Sequence, residues 1–419
     1  MDDRGRDPGR PAGRRGMLAL LGLAELLGMS LWFAGNAAAP ELGRRWGLGP
    51  GQVGWLTAMV QLGFVCGAAL AGLFNLADLL PARVYFAGAA LLGAAANLAL
   101  LGARDLPAAL ATRFLTGLCL AGVYPPALKM VATWFRAGRG LAIGTVVGAL
   151  CVGSGLPYLL RAWGGAGPRA ITLATSGAGL LAALLVAALY RDGPFPFERR
   201  RFDWRLATVV ARHRATRLAT AGYLGHMWEL YAMWTWMPAF LAAGLAARPA
   251  PHSARLADLA AFVTLVAGGL GCLWGGWAAG RLGYARVVTV AMAASGACAL
   301  SIGLCCGASP WLLLPAVWLW GFFVVADSAQ FSALVTEVAP GHAVGTALTL
   351  QTSLGFLLTM GAIQLVPVLV GSVGWRWAFA ALAPGPALGI AAIARLAGPA
   401  PGRRGGPADG GFPRAPRVP

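Results

Sequence analysis

The sequence predicts an all-α polytopic membrane protein with twelve transmembrane helices in two pseudo-symmetric six-helix bundles. Three observations predict it. First, of 419 residues 58% are hydrophobic and only 11% charged, whereas an ordinary soluble domain carries roughly 25% charged residues. Second, the apolar residues gather into twelve runs, each near the ~20 residues that a helical span requires. Third, the runs fall six and six about the one long polar stretch inside the chain. A soluble enzyme of this size needs far more polar surface, and disordered or fibrous chains lack such runs, so both classes are excluded.

The elements follow in order. Residues 1–16 form a basic head with Arg4, Arg6, Arg10, Arg14 and Arg15. The head looks like the n-region of a signal peptide, but the apolar run behind it, 17–39, is too long for an h-region and contains Glu25. The first bundle, 17–190, holds runs near 17–39, 52–77, 83–103, 106–134, 137–160 and 169–190. Residues 191–217 carry eight arginines and read as a linker. The second bundle, 218–395, holds runs near 218–245, 256–280, 286–307, 310–336, 344–369 and 372–395. The tail, 396–419, is Gly, Pro and Arg without apolar periodicity, the composition of a disordered segment.

The formal net charge of +18 raises nucleic-acid binding, but the arginines sit between apolar runs rather than on a soluble module. They report topology instead. With both termini cytoplasmic, the inside loops hold 23 Lys and Arg and the outside loops 8, which satisfies the positive-inside rule. The expected location is therefore the cytoplasmic (inner) membrane, with head, linker and tail inside and lipid around the bundle. Lys129 is the only lysine, a GC-rich signature that suggests a bacterial source. The seven cysteines lie in apolar runs without a CxxC pair, so no disulfide framework and no metal site is expected. His213 and His342 fall in loops and His252 outside, which adds nothing for a metal. No cofactor motif is present, and a monomer is expected.

An internal repeat ties the halves together. The first run reads Glu25-Leu26-x-x-Met29-x-x-Trp32 and the seventh Glu229-Leu230-x-x-Met233-x-x-Trp236, 204 residues apart. The fifth run begins Ala142-Ile143-Gly144-Thr145 and the eleventh Ala343-Val344-Gly345-Thr346, 201 apart. Parallel six-helix halves are one repeat arrangement of secondary transporters.

Several motifs resemble those of the major facilitator superfamily. The loop after the second run reads Phe74-Asn75-Leu76-Ala77-Asp78-Leu79-Leu80-Pro81-Ala82-Arg83. In the family's G-x-L-a-D-r-x-G-r-r pattern, Leu76, Ala77, Asp78 and Arg83 fit and both glycines are missing. The loop after the eighth run keeps the glycines, including Gly283, and Arg281, but has Gly280 where the Asp belongs. The fourth run carries Arg113-Phe114-Leu115-Thr116-Gly117, then Gly122, Pro125 and Pro126, ending Trp134-Phe135. Gly374-Trp375-Arg376-Trp377 precedes the twelfth run. The resemblance covers about residues 17–395. It implies alternating access between two bundles, a cavity lined by helices 1, 4, 7 and 10, and a cytoplasmic gate at Asp78, Arg83, Arg281 and Gly283. The arginines that nitrate-type relatives carry in helices 2 and 8 are missing, so nitrate is not expected.

Polar groups at lipid depth are costly and mark function by default. Glu25, Glu229 and Asp327 stand near mid-run. Glu25 and Glu229 occupy matching positions and are expected to face one another across the pseudo-two-fold axis. His226 precedes Glu229 by three residues, which places it on the same helix face, where its imidazole can relay a proton. Arg113 and Lys129 are the embedded basic groups; either can pair with an acid or hold an anion. Arg113 joins the acids and His226 as a candidate for proton coupling or substrate contact. Expected cavity-lining residues are Tyr124, Tyr231, Trp234, Ser328, Gln330, Gln61 and Gln351; the run Asp327-Ser328-Ala329-Gln330-Phe331-Ser332 is too polar to face lipid. No phosphate loop or nucleophile elbow appears. The expected function is secondary active transport of a small solute, coupled to protons or another ion. The alternatives are a lipid-modifying membrane enzyme with His226 and Glu229 as acid and base, and a non-transporting sensor on the same fold; both predict no solute flux.

Overall fold

The structure is a computed structural model that describes residues 11–74, 76–136, 138–164, 167–195, 203–246 and 252–397. All its long elements are helices. Eleven are long and apolar enough to cross a membrane: α1 (Gly13–Trp46), α2 (Pro50–Leu73), α3 (Ala82–Gly102), α4 (Leu106–Ala132), α5 (Arg139–Trp163), α6 (Pro168–Leu189), α8 (Ser253–Leu282), α9 (Tyr284–Cys305), α10 (Pro310–Val338), α11 (Gly341–Val373) and α12 (Trp375–Ala397). The seventh expected span is α7 (Arg214–Ala246), a continuous helix of 33 residues, hence about 50 Å long. It is less apolar because it carries His226, Glu229, Thr235 and five aromatic rings between Tyr223 and Trp236. Nearly every residue from Gly225 to Met237 is buried, so protein rather than lipid surrounds it. Residues 1–10 of the head, 196–202 of the linker and the tail from 398 lie outside the described residues.

Leucines on the outer faces carry the lipid contact. Leu92 on α3, Leu184 on α6, Leu300 on α9 and Leu388 on α12 are all exposed, which places one large apolar side chain of each peripheral helix outward. The halves repeat at the level of backbone contact. A β-carbon at Gly63 on α2 would lie 2.0 Å from the Phe114 carbonyl oxygen of α4, and one at Gly271 on α8 would lie 2.0 Å from the Phe322 carbonyl oxygen of α10. Only glycine allows helices this close. Gly271→Ala is expected to cost about 1–3 kcal/mol through forced helix separation, whereas Gly361→Ala, with open space around it, stays within about 0.5 kcal/mol. Thermal unfolding of the two variants in detergent checks this; equal midpoints would contradict the close crossing.

The bundles meet along two seams, α5 against α8 and α2 against α11. Along the first, a β-carbon at Gly144 would stand 2.9 Å from the Cys272 carbonyl oxygen and one at Gly148 3.0 Å from that of Gly269. The Cys151 and Cys272 sulfurs are 3.9 Å apart across it.

Besides α12, which passes through a 3-10 turn at Phe379–Leu382, three described spans are interrupted. In α1 the turn Ser30–Phe33 separates two helical segments. In α4 the break falls before Tyr124-Pro125-Pro126, where neither proline has an N–H to donate and Tyr124 is disfavoured from helix by the ring that follows. In α10 helix Pro310–Ala326 ends at Asp327 and a new segment starts at Ser328. Val123 and Asp327 are 204 residues apart, the spacing of Glu25 and Glu229, so the breaks in α4 and α10 are one feature repeated.

Candidate substrate cavity between the bundles

A cavity of about 440 Å3 lies between the bundles. Both repeated breaks reach it, since Tyr124 and Ser328, the first residues after them, line its wall. Its other lining residues include Gly72 near the end of α2, Tyr85 near the start of α3, Lys129 late in α4 and Thr349 early in α11. All of these lie toward the end of the bundle that bears both chain termini, and there the cavity opens.

The opposite end is filled by rings from both bundles. Phe64 of α2 and Phe356 of α11 have centroids 4.6 Å apart. Trp32 of α1 stacks on Tyr231 of α7 at 5.6 Å, and Trp234 meets Tyr231 edge-on at 5.5 Å. Such geometries are favourable for aromatic pairs. Beyond the rings, polar side chains cross between the bundles. The Arg161 guanidinium of α5 donates through Nε to Asp258 Oδ2 of α8 at 2.7 Å and through Nη2 to Oδ1. Its Nη1 donates to the Ala37 carbonyl at 2.7 Å. Asn36 of α1 donates to the Tyr158 hydroxyl at 2.6 Å and to the Thr235 carbonyl of α7 at 3.1 Å. The end remote from the termini is thus closed by a bidentate ion pair, an amide bridge and an aromatic plug.

His226 faces the cavity. Its Nε2 is 2.9 Å from the Ser328 hydroxyl, and its Nδ1 is 2.9 Å from Asp327 Oδ1. That oxygen keeps no hydrogen bond, so the contact is a close approach and not an aligned hydrogen bond. Both side chains are buried. Asp327 stands behind His226 and does not itself line the cavity.

The structure brings His226, Tyr124, Tyr231, Trp234, Ser328 and Lys129 to the cavity and places Glu25, Glu229, Asp327, Arg113, Gln61, Gln330 and Gln351 off its wall. Glu229 does not face Glu25. Its carboxylate accepts from Trp320 Nε1 at 2.6 Å and Ser295 Oγ at 2.9 Å, so it is held inside its own bundle by α9 and α10. Three residues along a helix amount to about 60° of rotation, enough to turn from the cavity wall, at His226, to the bundle core, at Glu229. Glu25 is fully buried, and neither carboxyl oxygen has a hydrogen-bond partner; it too lies off the cavity wall. So do Gln61, Gln330 and Gln351, all buried.

Arg113 pins the break in α1 rather than reaching the cavity. Its Nη2 donates to the Leu31 and Trp32 carbonyls at 2.8 and 2.6 Å, and its Nη1 to Asn97 Oδ1 at 2.8 Å. Asn97 in turn donates to Thr175 and Ser176 of α6. The interrupted helix leaves those carbonyls without helical donors, and arginine's fork satisfies them together. Arg113→Met is expected to destabilise the protein by about 3 kcal/mol or more, since it orphans three buried acceptors. Thermal unfolding in detergent is the check, and an unchanged midpoint would contradict the pinning role.

The expected gate at the termini side lies partly outside the described residues. Arg83 and Arg281 are exposed and form no ion pair among the described residues; Arg281 lies over the Trp277 ring, 4.0 Å from its centroid. The Asp78 side chain lies outside the described residues. Gly283 links α8 to α9 at φ +81°, a left-handed conformation that favours glycine. Sequence reasoning missed Asn36, Tyr158, Arg161 and Asp258. Their signal was faint: opposite charges near the same-side ends of the fifth and eighth runs, where Arg161 counted only as a loop charge.

Two helical bundles around a central cavity with repeated broken helices define a membrane transport protein. The family model for the Major Facilitator Superfamily matches residues 20–360, well over half of the chain, and the chain belongs to that family. It is a multi-pass membrane protein of a family of transporters. No curated protein matches it.

Proposed function

We propose that this protein is a secondary transporter, not an enzyme, that moves a small organic solute across the cytoplasmic membrane by alternating access and draws on a proton gradient. The observation that carries the reading is the asymmetry of the cavity. It opens at the termini side, while the other end is closed by contacts between the bundles, Arg161 to Asp258 and Asn36 to Thr235. Contacts that cross a bundle seam can be released by rocking one bundle on the other, and the glycine seams provide smooth surfaces for that motion. The positive-inside bias makes the termini side cytoplasmic, so this is an inward-facing state.

His226 supports proton coupling in place of the glutamates first considered. It is the imidazole on the cavity wall, in reach of solute and of water entering from the open side, with the Asp327 carboxylate 2.9 Å away. A proton gradient then supplies about 2.3 kcal/mol per charge per 100 mV. An enzymatic reading would make Ser328 the nucleophile and His226 its base. The misaligned Asp327 contact argues against it, because such a base needs its partner hydrogen-bonded at Nδ1.

Purified protein in liposomes with a trapped pH-sensitive dye tests the proposal. Solute entry accompanied by proton movement is expected. Solute entry without proton movement would contradict the coupling, and hydrolysis of a solute without its entry would contradict transport.

A further inference from the structure

Three helices carry the faces that form the cavity wall onward past the aromatic plug. On α2, Phe64 and Ala68 line the cavity, and Gln61 and Thr57 continue their face at helical spacing. On α5, Val147 and Leu150 line it, and Ser154 and then Tyr158 follow on the same face. On α11 of the facing bundle, Thr352 and Phe356 line it, and Thr359 follows, bonded only to its own helix. Phe64 and Thr57 are seven residues apart, so this stretch runs about 10 Å beyond the plug. Its far end is the Tyr158 hydroxyl, which accepts the Asn36 bridge.

Thr57, Gln61 and Ser154 are buried here. Neither amide atom of Gln61 has a hydrogen-bond partner among the described residues, and neither does Thr57 Oγ1 or Ser154 Oγ. A buried polar atom without a partner is costly. Four of them on two faces that extend a cavity wall call for a state in which they are satisfied. No charged residue lies within 57–64, 150–158 or 356–363, so the stretch is polar and uncharged.

We infer that Thr57, Gln61 and Ser154 form the solute subsite of the outward-facing state, sealed in this structure, and that it takes an uncharged solute bearing hydrogen-bond donors and acceptors. The inference rests on the alternating-access reading. When the Arg161–Asp258 pair parts, this stretch opens to the remote side, and water and solute satisfy the orphaned atoms. The Gln61 amide offers two donors and an acceptor, and each hydroxyl offers either. A purely apolar solute leaves those atoms orphaned. An anion meets Lys129 in the open cavity but crosses this stretch without a counter-charge, which is costly. A neutral polar solute suits both places, since Tyr124, Tyr223, Ser332 and Thr352 bring hydroxyls to the open cavity.

Thiol labelling of the full-length protein in lipid vesicles, in a background without the native cysteines, tests this. Ser154→Cys and Thr57→Cys are the reporters. The probes are methanethiosulfonates with a neutral hydroxyethyl, an anionic sulfonatoethyl or a cationic trimethylammonioethyl end. Each rate is divided by that reagent's rate with a free thiol in solution. Both reporters are expected to be nearly unreactive while the Arg161–Asp258 pair is intact. Arg161→Ala is expected to raise the hydroxyethyl rate about 30-fold, the shift that breaking the pair brings. The charged reagents are expected to stay about tenfold slower. The Asp258 charge left at the mouth favours the cation, so the cationic reagent gives the stricter comparison. Gln61→Leu is an independent check: it removes two orphaned atoms at similar shape and is expected to hold or raise the thermal midpoint. A lowered midpoint overturns the inference, as do reporters that stay unreactive in Arg161→Ala, or charged reagents that label as fast as the neutral one. Two reporters on different helices and the Gln61 variant keep one misfolded protein from rescuing it. The two readings fail separately: labelled Thr235→Cys with both reporters silent removes this subsite and keeps alternating access, whereas an unchanged distance between the bundles removes alternating access itself.

Discussion

Asp327→Asn is expected to reduce proton-driven accumulation of solute by tenfold or more while leaving solute exchange across the membrane close to wild type. The two assays separate because exchange needs only the loaded carrier to rock, whereas accumulation needs a proton to be bound on one side and released on the other. Asp327 lies 2.9 Å from His226 Nδ1 at the break in α10. Removing its charge removes the carboxylate nearest the His226 ring, the group that carries the proton in this reading. The side chain's shape is kept, so cavity and fold are expected to persist. Loss of exchange together with accumulation would mean a structural role for Asp327; retention of both would remove the pair from the coupling step. Glu229→Gln serves as the contrast. Glu229 is held by Ser295 and Trp320 inside the second bundle, so its substitution is expected to alter stability rather than coupling.

The second large effect is expected at the closed end. Arg161→Ala leaves the Asp258 carboxylate, itself mostly buried, without its bidentate partner. Breaking a buried pair costs more than the pair contributes, because one charge is left uncompensated. Here the partners retain some exposure, which lowers the cost to about 2 kcal/mol, or roughly a 30-fold shift away from the closed arrangement. Accessibility reads this directly. In a background without the native cysteines, Thr235→Cys sits beneath the Asn36 bridge and is buried; its labelling by a membrane-impermeant maleimide from the remote side is expected to rise by about that factor. The reversed pair Arg161→Asp with Asp258→Arg is expected to recover much of the closure, whereas Asp258→Asn alone is not. Unchanged labelling in Arg161→Ala would show that the aromatic plug closes this end unaided.

Composition and run spacing made the bundle count legible, and the offset of 204 between Glu25 and Glu229 made the repeat legible. The structure adds that the same offset relates the breaks at Val123 and Asp327. Proline chemistry forecasts the break at Tyr124-Pro125-Pro126, but Asp327 carries no such mark; its break is visible in sequence only as a polar cluster. The cavity was half legible. Tyr231, Trp234 and His226 stood out as polar or aromatic groups at lipid depth, and they line it. Glu229 stood out on the same grounds and does not, because a rotation of about 60° separates a cavity wall from a bundle core and no periodicity argument fixes which is which. Arg113 misled for a related reason: an embedded charge suggests substrate contact, yet here it satisfies carbonyls that the interrupted α1 releases. The Arg161–Asp258 pair was illegible because its partners are 97 residues apart and meet only when the bundles do.

The most direct measurement is the distance between the bundles at the closed end, by pulsed electron spin resonance on protein in lipid. Arg169→Cys on α6 and Ala254→Cys on α8 are exposed positions that carry one spin label in each bundle on that side. Two distance populations are expected, with the longer one growing when Arg161→Ala is introduced, while labels at the termini side shorten in step. A single distribution, unmoved by that substitution in protein that still transports solute, would contradict alternating access about this cavity.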